Sequence, residues 1–145
     1  MDETEYRSAY QQINPVRCVF EKAINSRNCN CSKSTRFNLA DREGVSCNDA
    51  KAQQTCTLLL DSLRANARFV FSLSNIDSQL PHNAEIKTQV GGIRGVAKLL
   101  DDADEHDIFF TISGGIEKYG SIDTFPYNQI VQDISSCQIR KKRKK

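Results

Sequence analysis

Apolar positions along most of this chain recur every three or four residues, the spacing at which side chains stack on one face of a helix. Asn14 followed by Pro15 reads as an N-cap before a proline at the first helical position. Val16, Val19, Phe20, Ala23 and Ile24 continue one stripe from there, and the helix ends between Asn25 and Asn28. A longer helix is predicted from Asn48 to Leu73, with Cys56, Leu60, Leu63, Ala67 and Val70 inward and Leu59 and Phe71 widening the stripe. Residues 75–82, which include Pro81, read as a connection. Asn83 opens a further helix carrying Ile86, Val90, Ile93, Ala97 and Leu100, closed by the acidic run Asp101, Asp102, Asp104 and Glu105. Ile108, Ile112, Ile116 and Tyr119 predict a short helix, broken or loosened at Gly114 and Gly115. A last helix starts near Pro126 with Ile130, Ile134 and Cys137 inward.

Between residues 28 and 47 neither a helical nor an alternating period is sustained. A structureless stretch of that length is uncommon in a small domain unless something organises it. Phe37 and Leu39 are candidates to anchor the segment, and Arg42-Glu43-Gly44 reads as a turn. The expected fold is therefore all-α: a small bundle of about four to five helices, with a cysteine-rich irregular loop at residues 28–47 organised by a metal centre. One helical metal-binding domain would span residues 1–139, and residues 140–145 would form a basic tail.

Charge is unevenly spread. The tail Arg140, Lys141, Lys142, Arg143, Lys144 and Lys145 carries +6 of a net +2, which leaves −4 on residues 1–139. A mildly acidic body thus ends in a run able to meet phosphates, an anionic surface or an acidic partner. Without aromatic residues the tail gives no stacking readout of single strands, so nucleic-acid contact confined to it would be non-specific. No apolar run approaches the roughly 18–20 residues needed to cross a bilayer. The first residues, MDETEYRSAYQQINP, show neither the basic start nor the apolar stretch of a secretory signal, which predicts a cytoplasmic location.

That location bears on the cysteines. At 145 residues the chain can bury a core without disulfide staples, and cytoplasmic thiols stay reduced. Five of the six cysteines cluster as Cys18-x10-Cys29-x1-Cys31-x15-Cys47-x8-Cys56. Metal binding is the leading reading, with Cys29, Cys31, Cys47 and Cys56 as ligands and Cys18 as a fifth or substitute ligand. Binding of this kind contributes on the order of 10–16 kcal/mol in structural zinc peptides. Cys47 lies near a predicted helix start, where amides favour thiolate, and Cys56 falls on the buried stripe. The closeness of Cys29 and Cys31 is awkward, because side chains two residues apart diverge in an extended chain. Cys137, spaced from Ile130 and Ile134 like a core residue, is set aside.

All-sulfur ligation suits either an iron–sulfur cluster of the 4Fe–4S type or Zn²⁺. The cluster is preferred narrowly: Phe20, Phe37, Phe69 and Phe71 could keep water away, and Arg17, Arg36 and Arg42 could offset its charge. Its role would be electron transfer, or that of a sensor or accessory subunit in a redox complex. A structural zinc module, its basic tail meeting nucleic acid or an acidic partner, is the alternative. A metal-free thiol switch ranks third.

Other candidates carry less. Gly91, Gly92 and Gly95 lack the phosphate-loop pattern and read as a place where helices approach closely. Ser113-Gly114-Gly115 lacks the surroundings of a nucleophile elbow, and the acidic run lacks the spacing of a calcium loop. Asp41 and Glu43 have no partner set that would make them an acid–base pair. No catalytic signature emerges.

The stretch RCVFEKAINSRNCNCSKSTRFNLADREGVSCNDAKAQQTC, with LRANARF and LPHNAEIKTQVGGIRG, resembles small uncharacterised bacterial cysteine-motif proteins over most of the chain. The resemblance implies a bacterial cytoplasmic protein and brings no activity with it.

Overall fold

The computed structural model describes residues 2–71, 80–101 and 107–139. Outside them lie Leu73, residues 75–79 of the expected connection, Asp102, Asp104, Glu105 and His106, and the basic tail.

Six helices and one hairpin follow in the order α1 (Glu3–Ile13), α2 (Glu21–Asn25), β1 (Ser34–Leu39), β2 (Arg42–Cys47), α3 (Ala50–Val70), α4 (His82–Leu99), α5 (Ile108–Tyr119) and α6 (Tyr127–Ser135). The described chain is mixed α/β, and the hairpin overturns the all-α expectation. It also removes the need for a metal to order residues 28–47. β1 and β2 pair antiparallel from Ser34↔Cys47 to Leu39↔Arg42, and Ala40 and Asp41 form the two-residue turn with φ of 49° and 68°. Arg42-Glu43-Gly44 is strand, not turn. Gly44 stands opposite Phe37, and a Cβ there would come within 2.3 Å of the ring, so the glycine gives the aromatic its place across the ladder.

The first predicted helix is also corrected. Asn14 ends α1 rather than starting a helix: its N–H bonds to the Tyr10 carbonyl at 2.9 Å. Residues 16–18 are extended against β2, with Cys18 N–H to the Val45 carbonyl at 3.0 Å and Cys47 N–H to the Val16 carbonyl at 2.7 Å. Only Glu21–Asn25 is helical. α1 itself was not expected. Asp2 caps it by accepting from the Glu5 amide at 2.7 Å, and Tyr10 is its one buried residue.

α4 is the centre of the molecule, buried on nearly every face and packed against α6, α5, α3 and α2. Gly91 and Gly95 let α6 come close, as their spacing predicts. A Cβ on Gly91 would lie 2.6 Å from Ile134 Cα, and one on Gly95 3.2 Å from Ile130 Cα. α3 keeps its expected stripe in Leu59, Leu60, Leu63 and Ala67 but is capped by Asp49, whose carboxylate accepts from Lys51 and Ala52 amides at 2.9 and 3.2 Å. α5 runs unbroken through Gly114 and Gly115, which make room for Leu100 and Phe125. No helix of the described residues is long and apolar enough to cross a membrane.

Candidate functional site

Four cysteines from four parts of the chain face one cavity. Cys18 comes from the extended segment before α2, and Cys31 from the turn before β1. Cys47 is the last residue of β2, and Cys56 lies in the second turn of α3. The cavity measures about 20 Å³, with Phe20, Ile108 and Phe109 among its apolar walls and Lys33 at its edge. All four residues are partly buried thiols without disulfide bonds.

The hairpin explains the gathering. Cys47 is held by two neighbours at once, paired to Ser34 on one side and donating its N–H to Val16 on the other. Cys18 is fixed by its own ladder bond to Val45. Cys31 is positioned by a turn in which its carbonyl accepts from the Ser34 amide at 3.2 Å and the Ser34 hydroxyl at 2.7 Å. Asp107 then ties this turn to α5: one carboxylate oxygen accepts from the Ser32 amide at 3.1 Å, the other from the Phe110 amide at 3.1 Å.

The backbone lowers two of the thiols: at Phe20 it favours the Cys18 thiolate, and at Lys33 and Phe109 the Cys31 thiolate. Burial opposes this and wins. It pushes the Cys18 thiol up to about 12, with the charges of Cys31, Cys47 and Glu21 adding to the rise. Cys56 is likewise pushed up to about 12 by burial, and then by Cys18, Cys31 and Cys47. The Cys31 thiol is raised by burial first, despite the backbone at Lys33 and Phe109. The Cys47 thiol donates to the Asp49 carbonyl at 3.1 Å. Each thiolate in this dry pocket therefore makes the next harder to form, unless a cation takes up the charge.

Cys29 is not part of this group. It is 2% exposed and packs in the hydrophobic core, while Cys31 two residues on faces the cavity. The divergence of i and i+2 side chains separates them. Cys18 stands in the place expected of Cys29. Cys137 is in the core, with an Arg94 Nη1 donor 3.9 Å from its sulfur. The arginines expected to offset cluster charge are engaged elsewhere: Arg17 on Glu21, Arg36 on the Ile24 carbonyl, Arg42 on Glu3. Glu43 pairs with Arg27 at 2.6 Å, and Asp41 sits in the hairpin turn.

Among the described residues no group of three or more His, Cys, Asp or Glu side chains is arranged to hold an ion as it stands. The four thiols ring the cavity without closing on a common centre. Comparison of the chain with family models, curated proteins and solved structures gave no match.

Proposed function

We propose that Cys18, Cys31, Cys47 and Cys56 form a four-thiolate site for a single soft metal ion, with Zn²⁺ as the occupant. The observation that carries this reading is their convergence on one small, apolar-walled cavity from four separate elements. Four thiols brought from four elements match the all-sulfur, four-ligand set of a lone structural zinc. In such a site each sulfur stands about 2.3 Å from the ion. The ion would replace four thiol protons and supply the positive charge that lets buried thiolates form. Thiolate ligation needs a reducing compartment, consistent with a cytoplasmic protein.

Such an ion would pin the start of α2, the open end of the hairpin and the beginning of α3. The function this supports is that of an interaction module with a structural zinc. The basic run Arg140–Lys145 would contact a phosphate-bearing or acidic partner by charge. Metal analysis after purification without oxygen tests the reading. A colourless protein with one zinc supports it. A brown protein with stoichiometric iron and labile sulfide replaces it with a cluster acting in electron transfer.

A further inference from the structure

A second cavity, of about 160 Å³, lies beside the first and shares Cys18 and Val19 with it. Its other walls are Leu60 and a set of polar side chains, with Arg17, Lys22, Thr57, Asp61, Arg64 and Gln89 among them.

Many hydrogen bonds of these walls close within the protein. Glu21, also on the wall, is held by three donors: its oxygens accept from Arg17 Nη2 at 2.9 Å, from the Val45 amide at 2.8 Å and from the Tyr10 hydroxyl. Gln89, 2% exposed, accepts from the Ala23 amide at 3.0 Å and donates to Glu85 at 3.2 Å. Glu85 is wholly buried and takes Arg64 Nε at 2.7 Å. That leaves the two terminal nitrogens of Arg64 without a hydrogen bond among the described residues. Their nearest carboxylate oxygen, on Asp61, is 3.8 Å from Nη1, beyond hydrogen-bond reach. Lys22 meets only His82 Nδ1, at 3.3 Å. These donors open on the cavity, where water meets them and an oxyanion could take its place.

We propose that this cavity binds a small oxyanion, held by the Arg64 guanidinium and the Lys22 ammonium and seated against Cys18. An arginine whose Nε is fixed by a buried carboxylate presents its outer nitrogens as a rigid fork, the geometry that takes a carboxylate or phosphate oxygen pair. The volume corresponds to about five waters at ~30 Å³ each. Acetate or inorganic phosphate fits; a nucleotide does not. The site goes beyond the metal reading and does not rest on it, because none of its donors is a thiol.

Isothermal titration with sodium acetate, and separately with inorganic phosphate, at constant ionic strength tests this. One saturable site for at least one of the two anions is expected, and which of them binds identifies the source. Lys22→Gln should weaken that binding by about tenfold, the loss of one charge-assisted hydrogen bond. Thr57→Leu keeps every charge but fills the space, and should abolish binding. Arg64 is left in place because its removal would strand buried Glu85. Lys22 is half-buried at the surface, so Lys22→Gln remains informative even if Thr57→Leu does not fold. Neither anion binding, or undiminished binding by Lys22→Gln, would overturn the proposal. Metal should be counted in the same sample: anion binding without metal contradicts the zinc reading alone, and metal without anion binding contradicts this one alone.

Discussion

A buried thiol prefers to stay protonated, and that preference ties stability to pH in a way the four-cysteine site makes measurable. Cys18 and Cys56 are both pushed up to about 12, well above the ordinary thiol range near ~8.5. Their contribution to folding is whole below that ordinary range and is lost as pH rises through it toward the folded value, because the unfolded chain ionises first. Metal-free protein should therefore show a falling thermal midpoint between about pH 9 and pH 11. The double variant Cys18→Ser/Cys56→Ser should flatten part of that slope. Tyr10, whose phenol is raised by burial and by Glu21, supplies a further part. A midpoint in the wild type that stays level over this range would contradict the burial of these thiols. Zinc-loaded protein, with the ion in place of the protons, should lose the part of the fall that the thiols supply and keep the part from Tyr10.

At the scale of elements, the close crossing of α4 and α6 makes the sharpest demand on sequence. Gly91→Ala would set a methyl 2.6 Å from Ile134 Cα and 2.8 Å from the Asp133 carbonyl oxygen, backbone atoms that cannot turn aside. Urea unfolding should show a loss of about 1–3 kcal/mol, the range for overpacking a tight core. At Gly114 the new methyl would meet only Leu100 Cδ1, at 2.9 Å, the end of a flexible side chain. Gly114→Ala should be near neutral, because the gain in helix propensity of about 1 kcal/mol offsets the adjustment. Equal effects at the two sites would show that the crossing is looser than described. The helices that rest on an apolar stripe, α3 through α6, were legible in the sequence for the same reason they are stable: each buries that stripe. α1 was not, since only Tyr10 of its eleven residues is buried; its one local signal was Asp2, three residues before Glu5. The hairpin was hidden twice over. Its strands have few fully buried positions, Gly44 and Val45 in β2 and none in β1, so no alternation shows. Its turn is Ala40-Asp41 rather than the usual Asn-Gly pair. Residues 16–24 misled in the opposite sense, because a short extended stretch and one turn of helix together mimic a helical period.

Over the whole molecule, the cysteine cluster was legible as a cluster but not as a set. Spacing along the chain gave no means of seeing that Cys18 would be drawn in by pairing with β2, nor that Cys29 would turn to the core while Cys31 faced the cavity. The Phe109 backbone, which favours the Cys31 thiolate, reaches it through the docking of α5 some 75 residues away, and no local pattern announces it. The hairpin, by contrast, is closed by its own ladder. Metal removal by a chelator should leave the amides of Phe37 and Gly44, which face each other in the ladder, protected from hydrogen exchange even as global stability falls. Loss of that protection would mean that the metal does organise the segment.

In the proposed four-thiolate site Cys18 takes the place expected of Cys29. Metal stoichiometry by elemental analysis of protein purified without oxygen tests it most directly, on the wild type and on Cys18→Ser and Cys29→Ser side by side. One zinc per chain is expected in the wild type and in Cys29→Ser, with Cys18→Ser losing most of it. A wild type without metal, or zinc kept by Cys18→Ser and lost by Cys29→Ser, would contradict the account.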